Sequence, residues 1–296
     1  MASHKILLLT HPCDQGDILK DYIKWHLDLG VDCIVAGDLG SSDDTHDILN
    51  SFSNTGQLEW FLLSDKSILN SKPGERLLRK ALDRHDADWI IMSDVDEFLC
   101  PQGDDLKTIL ERAAAADVTA INTPCFNMTG SDFESRRAIE TRTLRIDRPV
   151  IETYEQQLSG QIPVPYIFIK HPPRTIVRTP ALLEYGQGNH YATTAWGKII
   201  QLPELYILHY PIRGFDKFQT KIANTAAFFD ENDHLEPWWG WHWRRWNRLN
   251  GEGRLREEYE SQFVSSARAA ELIRDGVCTV DKTVANWIRT RTESVA

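Results

Sequence analysis

The sequence predicts an α/β fold: a mostly parallel, Rossmann-like sheet flanked by helices, followed by an irregular and helical C-terminal part. Two observations carry this. Short apolar runs recur at Lys5–Thr10, Val31–Ala36, Leu58–Leu63, Trp89–Met92 and Val118–Thr123. Of these, Lys5–Thr10 and Trp89–Met92 run apolar without alternation, as expected of strands buried on both faces of a parallel sheet. Between them lie stretches with helical spacing, and strand-helix alternation implies helices on both sheet faces.

Taken in order, Lys5–Thr10 is the first strand, and Thr10-His11-Pro12-Cys13-Asp14 turns into a helix over about 17–29. Ile18, Leu19, Tyr22, Ile23, His26 and Leu29 share one face of it, and Gly30 supplies the stop. The second strand ends in Gly37-Asp38-Leu39-Gly40-Ser41-Ser42-Asp43-Asp44-Thr45, whose Ser42 and Asp43 can cap the next helix. Pro73 opens a helix to about His85, leading into Trp89–Met92. Residues 105–116 read as helix, 127–160 as loops with an antiparallel hairpin, and 166–170 and 205–210 as short strands. Two helical stretches, 257–274 and 280–289, close the chain.

Composition sets the class. The chain has 296 residues, 42% hydrophobic and 26% charged, as in an ordinary soluble globular protein. A net charge of −10 excludes broad nucleic-acid binding. Five scattered cysteines without a Cys-x-x-Cys pair read as reduced thiols, and no signal peptide or membrane-length run is visible. The expectation is a cytoplasmic protein. The division expected is a main domain over 1–225 and a Trp-rich helical extension over 226–296.

Chemistry concentrates where the Trp89–Met92 run meets Asp94-Val95-Asp96-Glu97. Acids after a buried strand lie at the carboxyl edge of the sheet, where open α/β folds bind ligands. If the chain stays extended, Asp94 and Asp96 point the same way and their carboxylates suit a hard cation, Mg²⁺ or Mn²⁺. A solvated acidic turn is the competing reading.

With these motifs placed, the sequence resembles the glycosyltransferase family 2-like branch of the GT-A fold, with its Asp-x-Asp-Glu-Phe motif. Residues 37–45 are similar to that family's nucleotide loop. Arg174-Thr175-Ile176-Val177-Arg178, Gly188-Asn189-His190 and Leu208-His209-Tyr210-Pro211-Ile212-Arg213 are similar to its later motifs. The likeness spans roughly 4–225, and departs at Pro12-Cys13-Asp14, where many relatives carry Asn-Glu.

The resemblance implies a metal-dependent transfer from a nucleotide-diphosphate sugar to a glycan, polysaccharide or other hydroxyl acceptor, with inversion. It implies Asp96 and Asp94 as metal or ribose ligands, with His190 and His209 each a candidate further ligand. Asp38, Asp43, Thr10, Lys72 and Arg76 would approach the nucleotide; Arg178, Arg213 and Lys221 are candidate diphosphate clamps. Glu97, Asp132 and Glu134 are candidates for the general base an inverting enzyme needs. Trp238 to Trp246, with their arginines, have three readings: a packed helix, an acceptor-stacking surface, or contact with the inner face of a membrane. A nucleotide-sugar or glycan-binding module without turnover and an Asp-x-Asp phosphotransferase are the alternatives.

Overall fold

The computed structural model describes residues 4–63, 73–135, 137–159, 161–162, 164–231, 236 and 240–293. In chain order the first elements are β1 (Ile6–Thr10), α1 (Leu19–Asp28), β2 (Cys33–Asp38), α2 (Thr45–Ser53) and β3 (Leu58–Leu62). Then come α3 (Pro73–Leu82), β4 (Trp89–Met92), β5 (Glu97–Pro101), α4 (Leu106–Ala115), β6 (Val118–Thr123) and β7 (Cys125–Thr129). The middle of the chain holds α5 (Ala138–Thr141), β8 (Leu144–Ile146) and α6 (Tyr154–Ser159). It continues with β9 (Arg174–Arg178), β10 (Leu182–Tyr185), β11 (Ala192–Thr194), β12 (Lys198–Ile200) and β13 (Leu205–His209). The last elements are α7 (Phe215–Glu231), α8 (Trp241–Gly251), α9 (Leu255–Ser261), α10 (Ser266–Arg274), β14 (Cys278–Val280) and α11 (Thr283–Glu293).

These elements form two compact units interleaved in sequence. One holds 1–125 and 172–207, the other 126–171 and 208–296. The chain crosses between them three times, whereas the sequence reading placed a single boundary near residue 225.

The first unit is built on a seven-stranded sheet of order β12-β6-β9-β4-β1-β2-β3. All neighbours pair in parallel except β9, which is antiparallel to both β4 and β6. The expected mostly parallel sheet is therefore present. Every residue of β1 and β4 is buried, which explains their unbroken apolar runs. Helix α1 buries Leu19, Tyr22, Ile23, Trp25 and His26, and Gly30, at φ +95°, ends it as read from sequence.

The second unit carries β14-β8-β7, antiparallel throughout, so the hairpin expected within 127–160 exists as β7-β8. Its core gathers Phe218, Ile222, Trp246, Leu249, Tyr259 and Val264. The strand expected at 166–170 is instead a 3₁₀ turn over Tyr166–Phe168. Its two-residue periodicity arises because Ile167 and Ile169 point inward while Pro165 sets up a tight turn. Among the described residues no helix is long and apolar enough to cross a membrane. On α8, Trp241 and Trp246 are buried and Trp243 packs against the core, which is the packed-helix reading. Trp238 and Trp239 lie outside the described residues.

Candidate functional site

Strand order locates the site. From β1 the chain moves outward through β2 to β3, then returns to lay β4 on the other side of β1. The carboxyl ends of β4, β1 and β2 therefore flank a switch point, the position at which open α/β sheets bind ligands. Register fixes what lies there. Leu9 pairs with Met92 and the Ser93 N–H donates to the Leu9 carbonyl (3.1 Å), so Thr10 and the acid turn start side by side. Asp38 ends the neighbouring β2.

The acid cluster is a turn, not a strand extension. The Glu97 N–H donates to the Asp94 carbonyl (3.1 Å), and β5 starts at Glu97. The alternation argument for Asp94 and Asp96 thus gives way, and the two differ in environment. The Asp94 side chain is 54% exposed, while Asp96 is 5% and Glu97 0% exposed. From below, the turn rests on aromatic packing: Phe98 meets the Tyr22 and Trp25 rings edge-on and stacks with His26. The Tyr22 hydroxyl lies 3.2 Å from Ser93 Oγ, and Trp25 Nε1–H donates to the Leu99 carbonyl (2.8 Å). His26 bonds the Tyr22 carbonyl through Nδ1 (2.9 Å) and receives the Leu99 N–H at Nε2 (3.4 Å), so Nδ1 carries its proton. Burial pushes its pKa down to about 4.

Arg174, at the start of β9, closes the turn from above. It is 4% exposed and reaches Glu97 through Nε (2.7 Å) and Nη2 (2.6 Å), a two-toothed fork. Nη2 also meets Asp94 Oδ2 (2.7 Å); Nη1 donates to the Gly188 carbonyl (2.7 Å) and to the His190 ring. Burial works against its charge, but Glu97 and Asp94 outweigh burial and hold it protonated. Burial, reinforced by Glu97, pushes the Cys125 thiol well up, so it is no thiolate. The sequence offered Arg178, with Arg213 and Lys221, as a candidate diphosphate clamp. The antiparallel run of β9 sets Arg178 opposite Trp89, at the other edge of the sheet, where it lies over Trp196. The available signal was the direction of β9: the first arginine of the motif, not the last, meets the acid turn.

Glu97 has little left to offer as a base. Both of its oxygens bind Arg174, and Oε2 also accepts the Asp94 N–H (3.1 Å). His190 likewise faces a guanidinium. Among the described residues no group of three His, Cys, Asp or Glu donors centres on Asp94 or Asp96. Of the candidate ligands, Asp94, Asp96 and His190 belong to the first unit and His209 to the second.

The nucleotide-loop candidates form a network. Asp38, fully buried, accepts from the Gly40 and Ser41 N–H groups (2.8 and 3.0 Å), from Ser41 Oγ (2.5 Å) and from His46 Nε2 (2.8 Å). Asp43 accepts from the Thr45 N–H and hydroxyl and from the Gly16 N–H just before α2, whose N-cap is Asp44 with no side-chain cap, not Ser42 or Asp43. Asp14, in the departing Pro12-Cys13-Asp14 segment, accepts from the Ser42 and Asp43 N–H groups (2.7 and 3.3 Å). The departure thus braces the loop. Thr10 Oγ1 is buried without a hydrogen-bond partner at the end of β1. Arg76 is exposed on α3, and Lys72 lies outside the described residues.

The remaining candidates belong to the second unit. Asp132 is exposed and accepts from the N–H groups of Glu134 and Ser135 (both 3.1 Å), a turn of its own making. Glu134 pairs with Arg256. Arg213 is buried, and Lys221 Nζ lies over the Trp243 ring. Asn127 Nδ2 donates to the Ile167 and Ile169 carbonyls (3.0 and 3.1 Å), so its Oδ1 accepts from His209 Nδ1 (2.7 Å). His171 packs against that imidazole, with ring centroids 4.2 Å apart.

No protein-family model and no curated protein matches the sequence. Among solved structures the chain is similar to S. aureus TarS 1–349 at a TM-score of 0.41 and 13% identity, over 90% of this chain and 83% of that one. The same protein in complex with UDP-GlcNAc matches at 0.41 and 12%, over 74% and 66%. Glucosyl-3-phosphoglycerate synthase from Mycobacterium tuberculosis, in complex with Mn²⁺ and UDP-Glc, matches at 0.29 and 15%, over 43% and 44%.

Proposed function

We propose that the chain is a glycosyltransferase that takes a sugar from a nucleotide-diphosphate donor to a hydroxyl acceptor, with a divalent cation at the acid turn. The observation that carries this is the meeting of three chain segments at the switch point. Thr10, the Asp38 loop and the Asp94–Glu97 turn end adjacent parallel strands β1, β2 and β4. A nucleoside fits between the first two, and its diphosphate is then directed toward the acids.

The donor set fits a hard cation: Asp94 and Asp96 offer carboxylate oxygens, the ligands Mg²⁺ and Mn²⁺ prefer. When bound, such an ion neutralises charge on the departing diphosphate. The chain's own groups do the rest. Asp38 braces the 37–45 loop, and Arg174 engages both oxygens of Glu97, which takes that carboxylate out of proton transfer. Exposed Asp132 is then the better candidate for general base than Glu97, with inverted stereochemistry at the sugar.

Incubating the protein with a panel of sugar nucleotides and Mn²⁺, and following free nucleoside diphosphate, tests this. One donor should be consumed, chelator should stop the reaction, and Asp96→Asn should lower the rate at least about 100-fold. Equal rates in Asp96→Asn and the parent would remove the acid turn from the chemistry.

A further inference from the structure

Asp38 is held too completely to touch a ligand itself. It is fully buried, and its two oxygens accept from the Gly40 and Ser41 N–H groups, the Ser41 hydroxyl and His46 Nε2. A carboxylate only accepts, so His46 Nε2 carries the proton of that 2.8 Å bond. The His46 ring is then fixed on a second side. Its face stacks on Trp60, with centroids 5.3 Å apart and planes 24° from parallel, and Trp60 Nε1–H is itself tied to Asn50 Oδ1 of α2 (3.2 Å). The His46 side chain is nevertheless 37% exposed, and Nδ1 is the ring nitrogen left for the surface. Strand order decides what that atom can read. Along the sheet edge β4, β1, β2 and β3 follow one another, so the acid turn and Asp38 end strands two places apart, about 10 Å at the usual strand spacing. A nucleoside covers that distance, and a donor with its diphosphate at the acid turn brings its base and ribose over β1 and β2, beside His46.

We propose that His46 contacts the nucleoside of the donor, and that Asp38 is the positioning residue that sets its ring. Nδ1 accepts from a base N–H or a ribose hydroxyl. Asp38 and Trp60 hold the imidazole in place before the ligand arrives, which removes the cost of ordering it on binding. This rests on the nucleotide-diphosphate reading above. It moves the contact from the carboxylate that the sequence offered to an imidazole that it did not.

The test is calorimetric titration of nucleoside diphosphates and of inorganic pyrophosphate, each with Mn²⁺, into the parent protein and its variants. His46→Phe keeps a ring on Trp60 and removes both ring nitrogens. It should weaken binding of the preferred nucleoside diphosphate at least about tenfold and leave pyrophosphate binding unchanged. His46→Gln, with an amide donor for Asp38 and a carbonyl acceptor, should recover part of the loss. Equal losses for the two ligands, or no loss for either, overturn the assignment and leave the donor reading intact. A parent protein that binds no nucleoside diphosphate ends both. Should His46→Phe fail to fold, diethyl pyrocarbonate treatment of the parent protein decides, with the modified peptide read by mass spectrometry. His46 should react in the free protein and be protected by the nucleoside diphosphate but not by pyrophosphate; any other pattern overturns the proposal.

Discussion

The two units stabilise their interiors by different means. At the acid turn of the first unit, charged groups are buried over an aromatic floor: Glu97, Asp38 and Arg174 are almost wholly enclosed, and each carries several hydrogen bonds. The core of the second unit is dominated by aromatic contacts. Tyr166 stacks on His242, Trp246 meets Tyr166, Phe218 and Trp243 edge-on, and Tyr259 packs against Phe215. A charged cluster holds its members in one geometry but gives little net stability, because desolvation offsets much of the attraction. An aromatic core gives stability through area and contact. The difference identifies the first unit's turn as the place where geometry matters more than stability.

The strongest way to break this comparison is a pair of substitutions. Glu97→Leu leaves Arg174 buried without its main partner and should cost about 3–5 kcal/mol in urea unfolding. Adding Arg174→Met should recover more than half of that, since an apolar pair can replace a buried ion pair. Trp246→Ala should cost a similar 3–5 kcal/mol, because Trp246 is 2% exposed and also donates to Glu258 (3.0 Å). A second substitution at Glu258 should make that loss worse. Recovery there, or none at the ion pair, would erase the distinction.

Each unit contains a histidine with a lowered pKa, fully buried His26 in the first and half-buried His242 in the second, which gives a second comparison. Burial lowers His26 to about 4; burial, with Lys221 and His171 nearby, lowers His242 to about 3. Each is harder to protonate folded than unfolded, where the value is about 6.5. Their stabilisation is therefore complete above about pH 6.5 and declines as pH falls toward the folded values. On the order of 3 kcal/mol is lost across that window at His26. Replacing His26 with Gln should flatten the decline in urea-melt stability between pH 6.5 and 4, and an unchanged slope would contradict the assignment.

Smaller effects sharpen the picture. Tyr22→Phe deletes the hydroxyl beside Ser93 and should cost about 1 kcal/mol, seen as a lower denaturation midpoint. Asp132→Ala, at an exposed turn, should change stability by less than about 0.5 kcal/mol. If Asp132 is the general base, its rate loss will far exceed that.

Much of the first unit was legible because its strands are buried on both faces. Leu7, Leu8 and Leu9 and Trp89 to Met92 could scarcely be anything else, and the α1 face matched at Leu19, Tyr22, Ile23 and His26. The acids and the 37–45 loop were found because they follow those strands directly. The rest depends on contacts between distant segments. Nothing local distinguishes Arg174 from Arg178; only the antiparallel direction of β9 does. Tyr166–Phe168 read as a strand because a 3₁₀ turn with two inward isoleucines mimics alternation over so short a span. The interleaving of the units is likewise set by crossings after 125, 171 and 207, where composition does not change.

The most direct test of the central claim is a thermal-stability panel of nucleoside diphosphates, each with Mn²⁺, Mg²⁺ or chelator. A diphosphate held at 100 times its dissociation constant should stabilise the fold by roughly 2.7 kcal/mol. The account predicts that one nucleotide does so with a divalent cation present, and that Asp96→Ala abolishes the shift. No shift with any nucleotide and metal, or a shift that Asp96→Ala leaves intact, would contradict a nucleotide-diphosphate site at the carboxyl edge of β4, β1 and β2.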